Sequence, residues 1–289
     1  VEAGKELGLP VAAEVAKPDH VEACLREGVD ILWVGARTTV NPFYVQELAE
    51  SLKGTDVSVL VKNPIHPEIG LWLGALERFD KAGIQHLGAV HRGYFSLNAA
   101  PYRNEPGWEL AIELKEHNPE LPVIVDPSHI SGKRKLVTEI AQIGMELGLD
   151  GLMVEVHAAP DNALSDAAQQ LLPTDLQDLL GQIRVRKQIM VAEDTPDAIK
   201  AHRQRIDAID KEILSILQQR LEEVRAIGLE KEKTSHALFQ WGRWTDILRT
   251  RREIAEALNM DAAQAEELFR ILHKHALNEQ VNLVHRPKS

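Results

Sequence analysis

Between residues 11 and 157 the chain alternates six short β-branched apolar runs with amphipathic stretches, and no other feature limits its fold as tightly. The runs read as strands over 11–15, 31–36, 57–63, 86–92, 123–126 and 151–157. Helices are predicted over 18–27, 42–52, 68–82, 107–116 and 133–147 from their amphipathic spacing. Successive strands lie about one βαβ unit, roughly 30 residues, apart, so they are expected to be parallel. Nearly every run ends in polar chemistry: Glu14, Arg37, Lys62, His91 with Arg92, Asp126 with His129, and Glu155. Six polar ends converging on one locus fit the rim of a (β/α) barrel better than the single switch point of an open sheet. The fold class expected is therefore α/β, a (β/α)8 barrel missing its N-terminal part, because a barrel needs eight strands and six are found. Two absent units would leave two strand edges exposed. The chain opens Val1-Glu2-Ala3-Gly4, apparently inside a helix and without an initiator Met, so residues upstream are expected.

The barrel is assigned to 1–183, where Thr174-Asp175-Leu176-Gln177 reads as the capping box of a last barrel helix. A basic-then-acidic stretch at 184–194 reads as a linker, and 195–289 as an all-α, three-helix domain. Thr195-Pro196 signals a helix start, with Thr as N-cap. Ile206, Ile209, Ile213, Leu217, Leu221, Val224 and Ile227 then recur every three or four residues along one very long helix. Two shorter helices follow, over 240–258 and, with Asp261 as N-cap, 262–281. One long helix beside two short ones cannot bury its own apolar stripe, so a homodimer or higher oligomer through this domain is expected.

With 44% hydrophobic residues in 289, wholesale disorder is excluded. The 33 Lys and Arg against 44 Asp and Glu give a charge of -11, which argues against nucleic acid or an anionic membrane as a partner. The single cysteine, Cys24, lies on a helix face and reads as a small core residue. One cysteine excludes an intramolecular disulfide framework and a cysteine-rich zinc module, and fits a reducing, cytoplasmic setting. No apolar run approaches the roughly 18 residues of a membrane span.

Three groups of residues could carry chemistry. His129, Glu155 and Asp166 are hard or borderline metal ligands that could meet at one rim, although each could equally be a hydrogen-bonding rim residue. Arg37, Lys62 and Arg92 end successive strands, as a phosphate or phosphorylated carboxylate would require, or they pair with Glu14, Asp126 and Glu155 in an ion network. In the helical part Arg203, Arg220, Lys231 and Arg243 are candidates for an anion pocket, against the alternative of a solvated charged face. Arg203 and Arg220 stand seventeen residues apart on one helix, about 25 Å along its axis, so only a dimer could bring copies of both to one small ligand.

Gly35-Ala36-Arg37-Thr38-Thr39, Lys62-Asn63-Pro64, His91-Arg92-Gly93, Asp126-Pro127-Ser128-His129 and Met153-Val154-Glu155-Val156-His157, in that order, resemble the type I 3-deoxy-D-arabino-heptulosonate 7-phosphate (DAHP) synthases over about residues 1–180. Residues 195–285 resemble the all-helical chorismate mutases, and the order is that of bifunctional shikimate-pathway enzymes. The resemblance implies that the barrel condenses phosphoenolpyruvate with erythrose 4-phosphate. Arg37, Thr38, Lys62 and Arg92 would bind substrate, and His129, Glu155 and Asp166 would hold a divalent metal ion, Mn2+ or similar, that polarises the aldehyde. Glu14 would sit beside the phosphoenolpyruvate double bond, and Lys62 would double as proton donor. It further implies a chorismate-to-prephenate site of Arg203, Arg220, Lys231, Arg243 and Gln280, with Gln280 on the ether oxygen.

The chain departs from the family in three places. The Gly-Pro-Cys-Ser and Lys-Pro-Arg-Thr motifs of the family's first two strands do not occur, so synthase activity is expected of the full-length protein. Gln240 and Trp244 stand where some mutases carry Asp and Glu, and Ala276 stands where they carry Ser, which leaves the substrate hydroxyl to Gln240 or to backbone. Two alternatives stay open: a mutase attached to a remnant barrel, and a regulatory module in which the helices sense prephenate or chorismate and gate the barrel. Lys231 and Gln280 favour catalysis, because a sensor needs the clamping arginines but no donors at the ether oxygen.

Overall fold

The computed structural model describes residues 1–97, 99–185 and 195–285. The chain divides into two compact units, Val1–Gln188 and Ile189–Ser289. The linker expected at 184–194 lies, from residue 186 on, outside the described residues.

The first unit runs α1 (Glu2–Glu6), β1 (Ala12–Val15), α2 (Pro18–Glu27), β2 (Ile31–Val34), α3 (Ala36–Thr39), α4 (Pro42–Ser51), β3 (Ser58–Lys62), α5 (Ile69–Lys81), β4 (Leu87–His91), α6 (Trp108–His117), β5 (Val123–Val125), α7 (Pro127–Ser131), α8 (Val137–Glu146), β6 (Gly151–Leu152) and α9 (Pro173–Gln182). The six strands form one parallel sheet in the order β1-β2-β3-β4-β5-β6. A doubly wound sheet reverses its strand order at a switch point, whereas this order never reverses, which is the connectivity of a barrel wall. Among the described residues β1 and β6 each have one neighbour, so the wall is an arc.

Local chemistry sets the element ends. Pro18 and Pro42 open α2 and α4 at their first turn, and the Asn41 side chain accepts from Phe43 N at 3.0 Å. Alternate strand residues, Leu32 and Val34, Val59 and Val61, Val123 and Val125, are fully buried against Leu48, Trp72, Phe79 and Leu114 of the helices. Trp33, Leu60 and Ile124, one residue out of phase, are only partly buried and belong to the opposite, concave face. Cys24 is half-buried and packs against the helix-facing core.

Several boundaries differ from the sequence reading. The run predicted over 31–36 leaves the sheet at Val34, and the backbone turns at Gly35 into the single turn α3, which carries Arg37. The strand predicted over 151–157 pairs only through Leu152, because β5 offers three residues to pair with. Beyond it the Glu155 N–H is satisfied by Ser128 Oγ at 3.0 Å and Val156 bridges to Leu171. The helix predicted over 133–147 is a 3-10 turn, Arg134–Leu136, followed by α8. The capping box placed at Thr174 falls two residues early: Pro173 begins α9, and Asp175 accepts from Leu172 N at 3.1 Å.

The second unit comprises α10 (Asp197–Lys233), α11 (Trp241–Ala257) and α12 (Ala262–Val284). Thr195 is not the N-cap of α10; Pro196 is, without a capping side chain. Asp261 caps α12 as its position predicts, accepting from Ala263 N at 2.7 Å. Helix α12 packs against both α10 and α11. Over its 37 residues α10 buries only Val224 and Gly228, while Ile206, Ile209 and Ile213 remain about half exposed at 55%, 55% and 48%. No helix among the described residues is long and apolar enough to cross a membrane.

Candidate active sites

At the carboxyl ends of the strands a cavity of about 400 Å3 is lined by Glu14, Arg37, Lys62, Arg92, His129 and Glu155 among others, with Asp166 and Arg103 closing it from loops. Each side chain arrives by its strand end or the turn after it. Lys62 is the last residue of β3, Arg92 follows β4, and His129 lies in α7, whose N-cap Asp126 follows β5. Thr38 is not among the lining residues. Its neighbour Thr39 is buried and ties α3 to β3, donating from Oγ1 to Lys62 O at 2.9 Å. Glu14 reaches the cavity because Gly35 has no side chain: a Cβ there would stand 2.1 Å from Glu14 Oε1.

Asp126 organises the floor. Its Oδ1 accepts from the His129 backbone N–H at 3.0 Å, and its Oδ2 lies 2.7 Å from Lys62 Nζ and 2.9 Å from His129 Nδ1. Burial pushes this carboxyl up, but the His129 contact and the Lys62 ammonium outweigh burial and bring it down to about 2. It is therefore a charged acceptor at any working pH. With Nδ1 of His129 turned to Asp126, Nε2 stands 3.6 Å from Glu155 Oε1 and 4.0 Å from Asp166 Oδ2.

His129, Glu155 and Asp166 each offer a ligand atom within 4.8 Å of the others, a nitrogen and oxygen set suited to a borderline or hard divalent ion. The ligands are held from behind, as metal ligands usually are. Gln169 Nε2 donates to Glu155 Oε2 at 2.8 Å, and Arg103 Nη1 donates to Asp166 Oδ1 at 2.6 Å and to Gln169 Oε1 at 2.8 Å. Asp166 has a left-handed backbone, φ 52°, which costs free energy in a non-glycine residue and aims the carboxylate at the cavity. These residues fit a divalent metal ion.

The cations do not form the full ion network that the sequence left open. Of Arg37, Lys62 and Arg92, only Lys62 takes a carboxylate partner among the described residues, Asp126, and its ammonium also lies 4.3 Å from the Trp33 ring centroid. Arg92 is buried and fixed by neutral groups: Nη1 donates to Asn104 Oδ1 at 3.1 Å and the backbone N–H to Asn63 Oδ1 at 2.7 Å. Burial lowers the proton affinity of its guanidinium; Asp126 opposes this, and Arg103 and Arg37 lower it further. Arg37 has no ion-pair partner among the described residues. Three guanidinia near enough to repel one another around one cavity, with Arg103 also paired to Asp166, suit an anion. Arg103 was not predicted: it lies in the long loop between β4 and α6, away from any strand end. His91, a polar strand end, is a core histidine; Nε2 meets Pro106 O at 2.6 Å between Trp72 and Trp108, and burial brings its pKa down to about 4.

In the helical unit the predicted residues divide. Arg220 Nη1 donates to Leu272 O at 3.4 Å, Lys231 Nζ donates to Leu238 O, and Gln280 Nε2 donates to Val224 O at 3.2 Å, so all three lie where α10 meets α12 or the loop before α11. Gln280 is 6% exposed and its Oε1 is buried without a partner. Burial lowers the proton affinity of Lys231 and, with Arg251 nearby, of Arg220. Gln240 shares a shallow surface pocket with Lys231. Arg203 is exposed on α10, and Arg243 is exposed on α11 and paired with Asp246 at 2.8 Å. Within one copy these two do not join the others. Sequence reasoning missed Arg251 and His273, both of which face Arg220.

Comparison with known proteins agrees with both units. The DAHP synthetase I family model matches residues 1–191, and the chorismate mutase type II model matches 202–281. A phospho-2-dehydro-3-deoxyheptonate aldolase of Thermotoga maritima is 31% identical over 170 residues, covering 59% of this chain and 48% of its own length. A 2-dehydro-3-deoxyphosphooctonate aldolase of a Shewanella species is 28% identical over 208 residues, covering 68% and 70%. The solved truncated form of the T. maritima 3-deoxy-D-arabino-heptulosonate 7-phosphate synthase superposes with a TM-score of 0.56 at 27% identity, over 62% of this chain and 66% of that one. The chain thus spans about half the length, 48%, of the curated T. maritima relative.

Proposed function

The chain belongs to the DAHP synthetase I family, and from that premise we propose that its protein joins phosphoenolpyruvate to erythrose 4-phosphate in the barrel and rearranges chorismate to prephenate in the helical unit. The observation that carries the first activity is one cavity with two kinds of subsite: Arg37, Arg92, Arg103 and Lys62 on one side, His129, Glu155 and Asp166 on the other. A phosphorylated enol carboxylate needs the former, and an aldehyde awaiting attack needs the latter.

His129, Glu155 and Asp166 would hold a divalent ion such as Mn2+, which would supply Lewis-acid polarisation of the aldehyde carbonyl. The protein's own groups do the rest. Arg92, pre-fixed by Asn104 and Asn63, and the unpaired Arg37 clamp phosphate and carboxylate, so that the enol carbon is presented in one orientation. Lys62 holds a proton on Nζ beside Asp126, over the Trp33 face, where it can be delivered to a reacting carbon or oxygen. Glu14, on the rim beside Gly35, is placed to orient the water that adds as phosphate leaves.

For the helical unit, Arg220, Lys231 and Gln280 supply one side of a dicarboxylate site that needs only to clamp the ligand and stabilise charge on a breaking ether. Arg203 completes it from a second copy. The half-exposed Ile206, Ile209 and Ile213 share the N-terminal half of α10 with Arg203, and a homodimer that covers this stripe brings the partner's cation to the pocket. The single cysteine and the proposed phosphorylated substrates support a cytoplasmic setting.

The test is phosphate release from phosphoenolpyruvate on adding erythrose 4-phosphate, in metal-stripped and Mn2+-loaded protein, beside chorismate consumption. Metal-dependent release together with chorismate turnover supports both activities. Chorismate turnover without phosphate release from loaded, folded protein leaves a mutase attached to an inactive barrel fragment, and the absence of both activities leaves a prephenate-binding module in its place.

A further inference from the structure

His273 lies on α12 in a setting that packing alone does not account for. Its ring stacks on Trp244 of α11, centroids 4.2 Å apart and planes 18° from parallel, and meets Phe239 edge-on at 5.7 Å. Trp244 is held in turn by the Arg270 guanidinium 5.6 Å from its ring. An imidazole locked this way has one orientation, yet its Nε2 is sealed from solvent without a hydrogen-bond partner. Leaving such an atom unsatisfied is costly, so a buried orphan in a rigid ring asks for a ligand or a functional reason.

The neighbours say what kind of ligand. Arg220 is tethered to the carbonyl of Leu272, the residue before His273, and Lys231 to the carbonyl of Leu238, the residue before Phe239. Both cations act on the imidazole, and with burial as the larger cause they disfavour its protonated form. Gln280 follows His273 by two turns on the same face of α12, with the buried Ala276 between them, and its Oε1 is the other orphaned acceptor of that face. This corner of the helical unit therefore holds two cations for carboxylates and, between aromatic walls, a neutral nitrogen for a neutral oxygen.

We propose that His273 is a ligand-binding residue of the helical pocket, hydrogen-bonding through Nε2 to the ring hydroxyl of the dicarboxylate. This rests on the mutase reading above. It moves the hydroxyl contact from Gln240, which is exposed at the start of α11, to a residue on the facing helix. Trp244 acts as the positioning residue that holds the imidazole in place.

The experiment uses the full chain and two bicyclic ether dicarboxylates shaped like the cyclic transition state, one bearing the ring hydroxyl and one lacking it, with affinities read by calorimetry. His273→Phe keeps the stack on Trp244 and removes Nε2, and His273→Gln returns a donor and acceptor near the same place. His273→Phe is expected to weaken the hydroxylated compound about tenfold and the other less than about twofold, and His273→Gln to recover most of the loss. Equal weakening of both compounds, or of neither, overturns the assignment. Failure of the unsubstituted protein to bind either compound overturns the mutase reading itself, and the role of His273 with it.

Discussion

Lys62 and His129 meet on a single oxygen: Oδ2 of Asp126 is 2.7 Å from the ammonium of the first and 2.9 Å from the imidazole Nδ1 of the second. The proposed proton donor and the proposed metal ligand are thereby fixed by one buried carboxylate. Asp126→Asn should expose this coupling. Metal affinity is expected to fall roughly 10- to 100-fold, because His129 loses the charge that orients it, and stability by about 3 kcal/mol, because Lys62 is left buried without its partner. Metal titration and denaturant unfolding of the same variant read the two effects separately. An unchanged metal affinity would show that Asp126 serves Lys62 alone.

Arg103 joins the two subsites from the other side, bonding Asp166 and Gln169 while its charge faces Arg92. Arg103→Met is expected to raise the KM for phosphoenolpyruvate and to weaken metal binding about tenfold. Arg103→Lys keeps the charge but not the two-point donor geometry, so it should restore anion binding more fully than metal binding. Equal recovery of both would mean that Arg103 acts only as a charge.

How much of this was legible in the sequence depends on whether a residue acts through its own element or through packing between elements. Buried parallel strands need continuous apolar runs, so β1 to β5 and the residues that follow them stand out, Lys62, Arg92 and Asp126 among them. Glu155 was found although its strand ends early, since its position is held by Ser128 rather than by the sheet. Arg103 carries no such mark, because it enters the cavity from a loop whose path is set by backbone bonds from Arg103 and Asn104 to Ile130. His273 was equally silent, and Trp244 stood out only as a departure from the mutases, for only the packing of α11 on α12 turns these two helix residues into a stack. The sequential order of the sheet, which separates a barrel wall from an open sheet, follows from hydrogen bonding between strands and is not written in any one of them.

His91 makes stability depend on pH in a defined window. The unfolded chain takes up a proton near the ordinary value of 6.5, whereas burial delays uptake in the folded chain to about 4. Below 6.5 protonation therefore favours the unfolded chain, and stability that is complete above that pH is lost as the pH falls towards 4. The loss is about 3 kcal/mol. Asp126, whose folded value of about 2 lies below its ordinary 3.8, adds a second loss under still more acid conditions. Denaturant midpoints measured from pH 7 to 4 should fall in the parent protein and flatten in His91→Gln. A slope unchanged by the substitution would assign the effect to other groups.

The dimer proposed for the helical unit makes a prediction that no single-copy pocket can make. Arg203 stands on the exposed N-terminal half of α10, whereas Arg220 reaches the α12 backbone near the pocket. Seventeen residues of helix separate them by about 25 Å, so one small dicarboxylate touches both only if they come from different copies. Arg203→Ala and Arg220→Ala should each abolish chorismate turnover. Unfolding the two inactive proteins together and refolding them as a mixture should restore it, because a hybrid dimer contains one doubly impaired site and one intact site. With random pairing half the dimers are hybrids, and activity should recover to about a quarter of the parent level. Recovery marks an active site shared between copies. No recovery from a mixture shown to exchange subunits would exclude a site shared between copies, take Arg203 out of the pocket and remove the reason for the dimer.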